Sequence, residues 1–309
     1  MAALTVTRRP MSDRVILHIG VMKTGTSFLQ SVLQYHTQDL AAEGVDFLGS
    51  RFGKQARAVL DGLKLPQQPR RNTRRWRRLV SDAHEGRTGV VSMEFLSYAN
   101  PSQVESFLSP LRGRDVRVVL TVRDQLRAVP AQWQSYARNR GTASWNDYLR
   151  DIQSRRTGGR RRTRASRTFH RAQDIETIVH RWGARPEVNG LTIVTVPPPG
   201  APRDELWQRF CAASGLPPLD LPPEGIKENQ SLGYASCELL RLLNPLVADV
   251  RPPRYRRVVR RVSRDALAPL RESESRPVLD RAGAEFARSR NRRLRRFIEG
   301  GGQAFIGDL

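Results

Sequence analysis

Residues 14–27 constrain the possible folds of this 309-residue chain more than any other segment. The segment begins with a short apolar run that ends at Gly20, and such a run predicts a buried strand. Apolar residues then recur at helical spacing, which predicts a helix over 26–43, and Gly44 is the residue type that commonly follows a helix end. A strand that passes through a glycine turn into a helix predicts the first half of a β–α–β unit.

The same pattern repeats along the chain. Further strands are predicted at 89–93, 115–122 and 191–196, where short apolar runs are bounded by turn residues or charges. Further helices are predicted at 124–138, 169–182, 204–213, 231–247 and 282–298, with another ending near Gly86; Pro130 predicts a kink or a late start in the first of these. This alternation predicts an α/β fold with three layers, in which helices cover both faces of a central, mostly parallel sheet.

Charged side chains follow three of the predicted strands. Lys23 follows the first strand, Glu94 the second and Arg123 the third. Parallel sheets bind ligands at the carboxyl ends of their strands. We therefore expect the three charges to meet at one edge of the sheet.

The turn around Lys23 has the features of an anion-binding loop. Its backbone N–H groups and the start of the helix offer positive potential, and Thr26 and Ser27 add hydroxyl donors. In loops of nucleotide hydrolases the lysine follows the last glycine, whereas here Lys23 precedes Gly25. This register disfavours ATP or GTP hydrolysis; a fortuitous strand–turn–helix is the alternative explanation.

The run Lys23-Thr24-Gly25-Thr26-Ser27 resembles the phosphosulfate loop of sulfotransferases, which reads K-[ST]-G-T-[ST] after a strand, and it is most similar to that of the bacterial branch. The resemblance implies a nucleoside-triphosphatase-like α/β domain that binds 3′-phosphoadenosine 5′-phosphosulfate (PAPS) and releases 3′,5′-ADP. It assigns the 5′ side of PAPS to these five residues.

A second part of the resemblance lies around Arg123. Sulfotransferases have an arginine directly after a strand and a serine about eight residues later, and both contact the 3′-phosphate. Arg123 matches the arginine, and its planar, permanently charged fork suits phosphate. Ala131 stands at the serine position, so Gln132 or Ser135 makes that contact or the contact is missing.

The loop that begins at Lys227 is the third part of the resemblance. Lys227 and Asn229 are assigned to the nucleotide by similarity with the bacterial proteins. Helix capping by Asn229 or Ser231 explains the same residues without a ligand.

Sulfuryl transfer, like phosphoryl transfer, depends on positioning and on stabilisation of the leaving group. The resemblance makes Lys23 the candidate for stabilising the leaving phosphate and Glu94 the candidate base for an acceptor hydroxyl or amine, with no metal expected. A structural ion pair of Glu94 is the alternative. His18 is a second candidate base, although its place within a strand favours a satisfied core histidine.

Four aromatic residues follow the start of the helix after Arg123: Trp133, Tyr136, Trp145 and Tyr148. They are candidates for stacking on adenine or lining an acceptor pocket, although their helical spacing favours core packing. The chain has two cysteines, Cys211 and Cys237, whose spacing matches no metal site. We predict that both thiols are buried and reduced.

The chain carries 53 basic residues against 30 acidic ones, a net charge of +23, and only four of the basic residues are lysines. Codon bias explains the preference for arginine as well as an anionic partner does. A basic nucleic-acid-binding protein, with arginine clusters at 70–78 and 155–167, and a small-molecule kinase are the alternatives to a sulfotransferase, and a degenerate, inactive copy is a third.

The predicted organisation has three parts. Residues 1–13 are a flexible N-terminus, 14–247 form the sulfotransferase-like domain with a basic, mobile loop at 153–168, and 248–309 are a helical extension packed on that domain. The absence of a long apolar run or signal peptide predicts a cytoplasmic protein without a transmembrane segment. The acceptor, whether carbohydrate, lipid or small molecule, has no signature in the sequence.

Overall fold

A computed structural model of the chain describes residues 13–49, 51–64, 74–83, 86–154, 163–222 and 231–309. Lys227 and Asn229 lie outside the described residues, as do residues 155–162 of the predicted basic loop and residues 1–12. No helix within the described ranges has the length and apolar character needed to cross a membrane.

The described strands form one parallel sheet in the order β2–β3–β1–β4–β5–β6. They are β1 Arg14–Gly20, β2 Val45–Phe47, β3 Thr88–Ser92, β4 Asp115–Val122, β5 Val188–Thr195 and β6 Ala304–Ile306. The predicted α/β class with a parallel sheet is thereby confirmed.

Helices connect most of these strands. The α-helices in the described residues are α1 Thr26–Tyr35, α2 Thr37–Ala42, α3 Phe52–Gly62, α4 Arg74–Ser81, α5 Pro101–Leu108, α6 Gln125–Arg138, α7 Trp145–Gln153, α8 Arg164–Gln173, α9 Ile175–Gly183, α10 Glu205–Ser214, α11 Tyr234–Leu246, α12 Pro252–Val262 and α13 Arg281–Gly301. Short 3-10 helices cover Glu94–Tyr98, Ser109–Leu111 and Ala268–Glu272, and a short π-helix covers Ser263–Leu267.

Two predicted helices are each a pair of helices. The chain breaks at His36, where the Thr37 hydroxyl donates to the carbonyl of Gln34, and Gly44 follows the second helix with φ 76° as predicted. The predicted helix over 169–182 is divided at Asp174 between α8 and α9.

Other boundaries also differ from the sequence prediction. The helix predicted to end near Gly86 ends at Ser81, and α8 begins at Arg164, inside the predicted basic loop. Pro130 lies within α6, but this helix begins at Gln125 under an Asp124 cap, so the predicted late start was wrong.

The described residues divide into two compact units. The first takes its residues from 1–122, 175–227 and 301–308 and holds the whole sheet with α1–α5, α9 and α10. The second takes its residues from 123–174, 228–300 and 309 and is helical. The proposed division at residue 247 stays a prediction.

The core of the first unit lies on both faces of the sheet. On one face Ile16 and Val119 pack in a cluster with Leu29 of α1 and Phe210 of α10. Neighbouring β1 residues such as Leu17 point to the other face and are equally buried, and α9 contacts β4 and β5. Strands buried on both faces are typical of parallel sheets.

The core of the second unit is built from aromatic side chains. Trp133, Trp145, Tyr148 and Phe169 form one cluster with residues of α11, such as Leu240. This cluster gives the helical unit a hydrophobic centre of its own.

Candidate functional site

The loop after β1 lies at the centre of the sheet. Strand β1 pairs with β3 on one side and with β4 on the other, so the strand order reverses at this point. Two backbone hydrogen bonds continue past the strand end: the Met93 N–H donates to His18 O (3.0 Å), and the Val21 N–H donates to Thr121 O (3.3 Å). Reversal points at the carboxyl edge of parallel sheets are where ligands bind in such folds.

Two residues of the loop have a left-handed backbone. Lys23 has φ 71° and Gly25 has φ 79°, both in the left-handed region. Both this backbone conformation and the space around residue 25 require glycine, because a Cβ there would lie 2.4 Å from Cδ2 of Leu206. Left-handed residues next to ordinary ones turn successive N–H groups toward one side and form a concave site for negative charge.

Helix α1 adds to this positive potential. It begins at Thr26, and its first turn carries no acidic residue. The first N–H groups of a helix have no acceptor within the helix, and the helix dipole makes this end positive. The helix start and the loop together favour a phosphate or sulfate group.

The Thr24 side chain is used inside the fold. Its hydroxyl donates to Val21 O (2.6 Å) and lies 2.8 Å from the Thr121 hydroxyl, and its backbone N–H also donates to Val21 O (3.2 Å). Thr24 therefore shapes the loop, and its predicted contact with the nucleotide stays a prediction.

His18 is a buried and fully partnered core residue, as its place in the strand favoured. Its Nδ1 lies 2.7 Å from the Ser92 hydroxyl and its Nε2 lies 3.0 Å from the Thr121 hydroxyl. The Thr24 hydroxyl donates its proton to Val21 O, so it must accept the hydrogen bond from the Thr121 hydroxyl. Because the Thr121 proton is used in this way, Thr121 accepts the hydrogen bond from Nε2–H of His18. Burial lowers the pKa of His18 from 6.5 to about 3, so the ring is neutral with its proton on Nε2.

Thr26 differs from Thr24 in its surroundings. Its side-chain oxygen is buried, and among the described residues it has no hydrogen-bond partner. Gly20 makes room for it, because a Cβ at residue 20 would lie 1.8 Å from Thr26 Oγ1. A buried hydroxyl without a partner lowers the free energy of unfolding by about 1–3 kcal/mol, so its presence in the native protein needs an explanation.

Glu94 begins the 3-10 helix that follows β3. It lies close enough to Lys23 for the ammonium charge to lower its pKa. Gln30 of α1 links it to the strand, since the Gln30 side chain hydrogen-bonds Glu94 and its Nε2 donates to Ser92 O (2.8 Å). Burial raises the pKa of Glu94, although hydrogen bonds and the Lys23 ammonium oppose the rise. A carboxylate with a raised pKa is a stronger base than an exposed one, which suits it to accept a proton.

Arg123 directly follows the last residue of β4 and belongs to the second unit. Burial and the neighbouring guanidinium groups of Arg127 and Arg276 lower its pKa to about 10, while the Asp124 carboxylate opposes the shift. The guanidinium stays protonated at neutral pH. Several arginines that share one surrounding attract an anion.

The positions after Arg123 in the resemblance lie on α6. Ala131, Gln132 and Ser135 are all buried there. A contact of Gln132 with a 3′-phosphate stays a prediction.

The four aromatic candidates are core residues. Trp133, Tyr136, Trp145 and Tyr148 are buried in the cluster of the second unit, which confirms the packing alternative. Both indole nitrogens are used: Trp133 Nε1 donates to Ala143 O (3.2 Å) and Trp145 Nε1 to Val278 O (2.8 Å). The thiols of Cys211 and Cys237 are buried, as predicted, and neither forms a disulfide.

Sequence reasoning missed Gln30 and the polar residues of the strands. Gln30 lies on the buried side of α1, and Ser92 and Thr121 lie inside apolar strands. An amide or hydroxyl at a position that the spacing assigns to the core is the signal that would have found them, because buried polar groups need partners.

Comparisons with known proteins found a likeness in structure but none in sequence. No model of a known protein family matches the chain, and no curated protein matches it in sequence. A sulfotransferase from Alicyclobacillus acidocaldarius is similar in structure, with 14% sequence identity, a TM-score of 0.46, and coverage of 81% of this chain and 99% of that one.

Proposed function

We propose that the chain is a PAPS-dependent sulfotransferase that transfers a sulfuryl group to a hydroxyl or amine of a carbohydrate, lipid or small-molecule acceptor. The observation that carries the proposal is the buried Thr26 hydroxyl, which has no partner among the described residues and lies in the left-handed loop that contains Lys23. A phosphate oxygen of the donor would satisfy that hydroxyl.

The loop would hold the 5′ side of the donor. The N–H groups at the start of α1 and the Thr26 hydroxyl donate to phosphate, and Ser27 stands at the same helix end. Gly25 and Gly20 keep the space clear, since a side chain at either position would collide with Leu206 or Thr26. The bound nucleotide supplies the sulfuryl group, and the loop residues orient it.

Lys23 and Glu94 would act on opposite sides of the transferred group. The Glu94 carboxylate accepts the proton of the acceptor while the new S–O or S–N bond forms. As the bond between sulfur and the 5′-phosphate oxygen breaks, the Lys23 ammonium stabilises the negative charge on that oxygen. The raised pKa of Glu94 and its proximity to Lys23 support this division of roles.

The proposal assigns the 3′-phosphate to Arg123 and Gln132, and a closing contact to Lys227 and Asn229, from the sequence pattern alone. Two observations support the assignment of Arg123: it directly follows β4, and its guanidinium stays charged at neutral pH. Its pairing with a phosphate group would offset the mutual repulsion of Arg123, Arg127 and Arg276.

Calorimetric titration of the wild type and of Lys23→Ala with 3′,5′-ADP, and separately with ATP–magnesium, tests the proposal. The wild type should bind 3′,5′-ADP more tightly than ATP–magnesium, and Lys23→Ala should weaken that binding by about tenfold or more, because it removes a charge-assisted contact. Lys54→Ala, which removes an exposed lysine, is the matched control and should bind like the wild type.

Two results would overturn the proposal. Preference for ATP–magnesium would favour a kinase. Absence of nucleotide binding, with salt-dependent nucleic-acid binding that survives Lys23→Ala, would favour a nucleic-acid-binding protein.

A further inference from the structure

Helix α11 exposes an apolar face. Leu239, Leu242, Leu243 and Leu246 are 47%, 57%, 41% and 80% exposed. Their spacing of three, four and seven residues places them on one side of the helix. Contiguous leucines on a surface mark an interaction site more often than isolated ones do.

The next helix exposes positive charge. Residues 251–264 contain seven arginines and no acidic residue. Five of the arginines line a shared surface groove on and after α12: Arg256, Arg257, Arg260, Arg261 and Arg264. Asp265 pairs with the last two, whereas Arg256, Arg257 and Arg260 make no salt bridge with any described residue.

The inward sides of both helices are fixed by contacts within the second unit. The Tyr255 hydroxyl of α12 donates to Oδ1 of Asn244 on α11 (2.6 Å). Val259 and Val262 pack against the same cluster as Cys237 and Leu240. The inner sides of both helices are thus joined to one cluster, and the exposed residues are leucines on α11 and arginines on α12.

We propose that the α11–α12 pair docks on an anionic lipid bilayer. The four leucines of α11 would enter the boundary between headgroups and acyl chains, and the arginines of α12 would contact the anionic headgroups. Apolar residues beside a basic stretch are the combination that interfacial helices use, and each arginine near such a surface adds about 1 kcal/mol to binding. The proposal does not rest on the proposed enzymatic function.

The leucines and the arginines together favour a bilayer over two other partners, a nucleic acid and a second copy of the chain. A nucleic acid would satisfy the arginines but leave four leucines in water. A second copy of the chain would cover the leucines but, in a twofold contact, would bring two sets of seven arginines toward each other. An anionic bilayer satisfies both the leucines and the arginines.

Vesicle flotation tests the proposal with the full-length chain. The probes are vesicles of phosphatidylcholine alone and of phosphatidylcholine with about one third phosphatidylserine. We expect binding to the anionic vesicles that weakens with salt, and little binding to the neutral ones.

Two variants separate the contributions. Arg256→Gln/Arg257→Gln/Arg260→Gln should lower partitioning onto anionic vesicles by roughly 100-fold, as follows from about 1 kcal/mol per arginine. Leu242→Ser/Leu246→Ser should lower it by about tenfold or more through lost apolar burial. Circular dichroism should show both variants folded, since all five residues are exposed.

Two matched controls should bind like the wild type. Arg288→Gln/Arg295→Gln/Arg296→Gln removes the same charge from exposed positions of α13. Tyr35→Ser removes an exposed apolar side chain of the first unit.

Three results would overturn the proposal. The first is equal loss of binding in the α13 control, since that would assign the effect to total charge. The second is light-scattering evidence that the leucine variant turns a dimer into a monomer without changing vesicle binding. The third is tight binding to a duplex DNA that needs the arginines but not the leucines, in the absence of vesicle binding.

Discussion

The loop after β1 and the aromatic cluster of the second unit both contain residues that the sequence marks as candidates for binding a ligand. In the cluster, the polar atoms of Trp133 and Trp145 donate to backbone carbonyls within the same unit. In the loop, Thr24 is equally occupied, whereas Thr26 keeps a buried hydroxyl without a partner among the described residues. The difference lies in whether the fold itself satisfies the polar atom.

This difference has an energetic consequence. Partnered groups such as the Trp133 indole contribute to stability, and their loss should reduce it. An unpartnered buried hydroxyl lowers the stability of the free protein, and a ligand that supplied an acceptor would remove this cost. Removing a partnered group of the cluster should therefore lower stability and leave ligand affinity unchanged. Removing the Thr26 hydroxyl should lower ligand affinity without lowering stability.

The largest effect is expected at Glu94. Glu94→Gln removes the candidate base and should lower turnover of PAPS by about 100-fold or more, while 3′,5′-ADP affinity stays within about twofold. In the wild type, turnover should rise with pH through the raised pKa of Glu94, because the base acts in its deprotonated form. Rates across pH 5–9 measure both effects.

The control for this prediction is Glu105→Gln, which changes an exposed glutamate of α5 and should leave the rate unchanged. Unchanged turnover in Glu94→Gln would remove Glu94 from the mechanism and leave it as a structural carboxylate near Lys23.

Trp133→Phe tests the aromatic cluster. It removes the hydrogen bond to Ala143 O and leaves a cavity, so the free energy of unfolding should fall by about 2–3 kcal/mol in urea titrations. Nucleotide affinity of the folded protein should not change. A lower affinity with unchanged stability would place Trp133 at a ligand instead of in the core.

His18 should make stability depend on pH. Its pKa is about 3 in the folded protein and 6.5 when unfolded, so the unfolded chain binds the extra proton and stability is lost as pH falls below 6.5. The His18 contribution to the loss between pH 7 and pH 5 is about 2 kcal/mol. His18→Gln should lack this part of the slope in denaturant titrations; an identical slope in both proteins would contradict a neutral buried ring.

The smallest effect contrasts two threonines that occupy the same motif. Thr26→Val removes a buried hydroxyl without a partner and should raise the free energy of unfolding by up to about 1 kcal/mol. Thr24→Val breaks the donation to Val21 O and should lower it by about 1–2 kcal/mol. Thermal unfolding of the two variants measures this opposition, and equal destabilisation by both would remove the distinction between them.

The sequence predicted the parts of the fold that have long or regular patterns. Strands β1, β3, β4 and β5 each contain a continuous apolar run, so their approximate positions followed from the pattern. Strands β2 and β6 have only three residues each, too few to show a period, and they were missed.

The site was predicted less completely than the fold. Thr24 and Thr26 are two residues apart in one motif and both are buried, but only the Thr24 hydroxyl has a partner within the fold, which the motif alone does not reveal. The apolar spacing of α1 and α2 continues across His36, so the helix break left no mark in the pattern. Gln30 acts through a contact 62 residues away at Ser92 O, which no local pattern records.

The central claim is that the loop after β1 holds the 5′-phosphate of a nucleotide through Thr26. Comparing the affinities of 3′,5′-ADP and adenosine 3′-monophosphate in the wild type and in Thr26→Val tests it most directly, since these nucleotides differ only at that phosphate. The wild type should prefer 3′,5′-ADP, and Thr26→Val should lose about tenfold of this preference without weakening the 3′-monophosphate. An unchanged preference in Thr26→Val would contradict the claim.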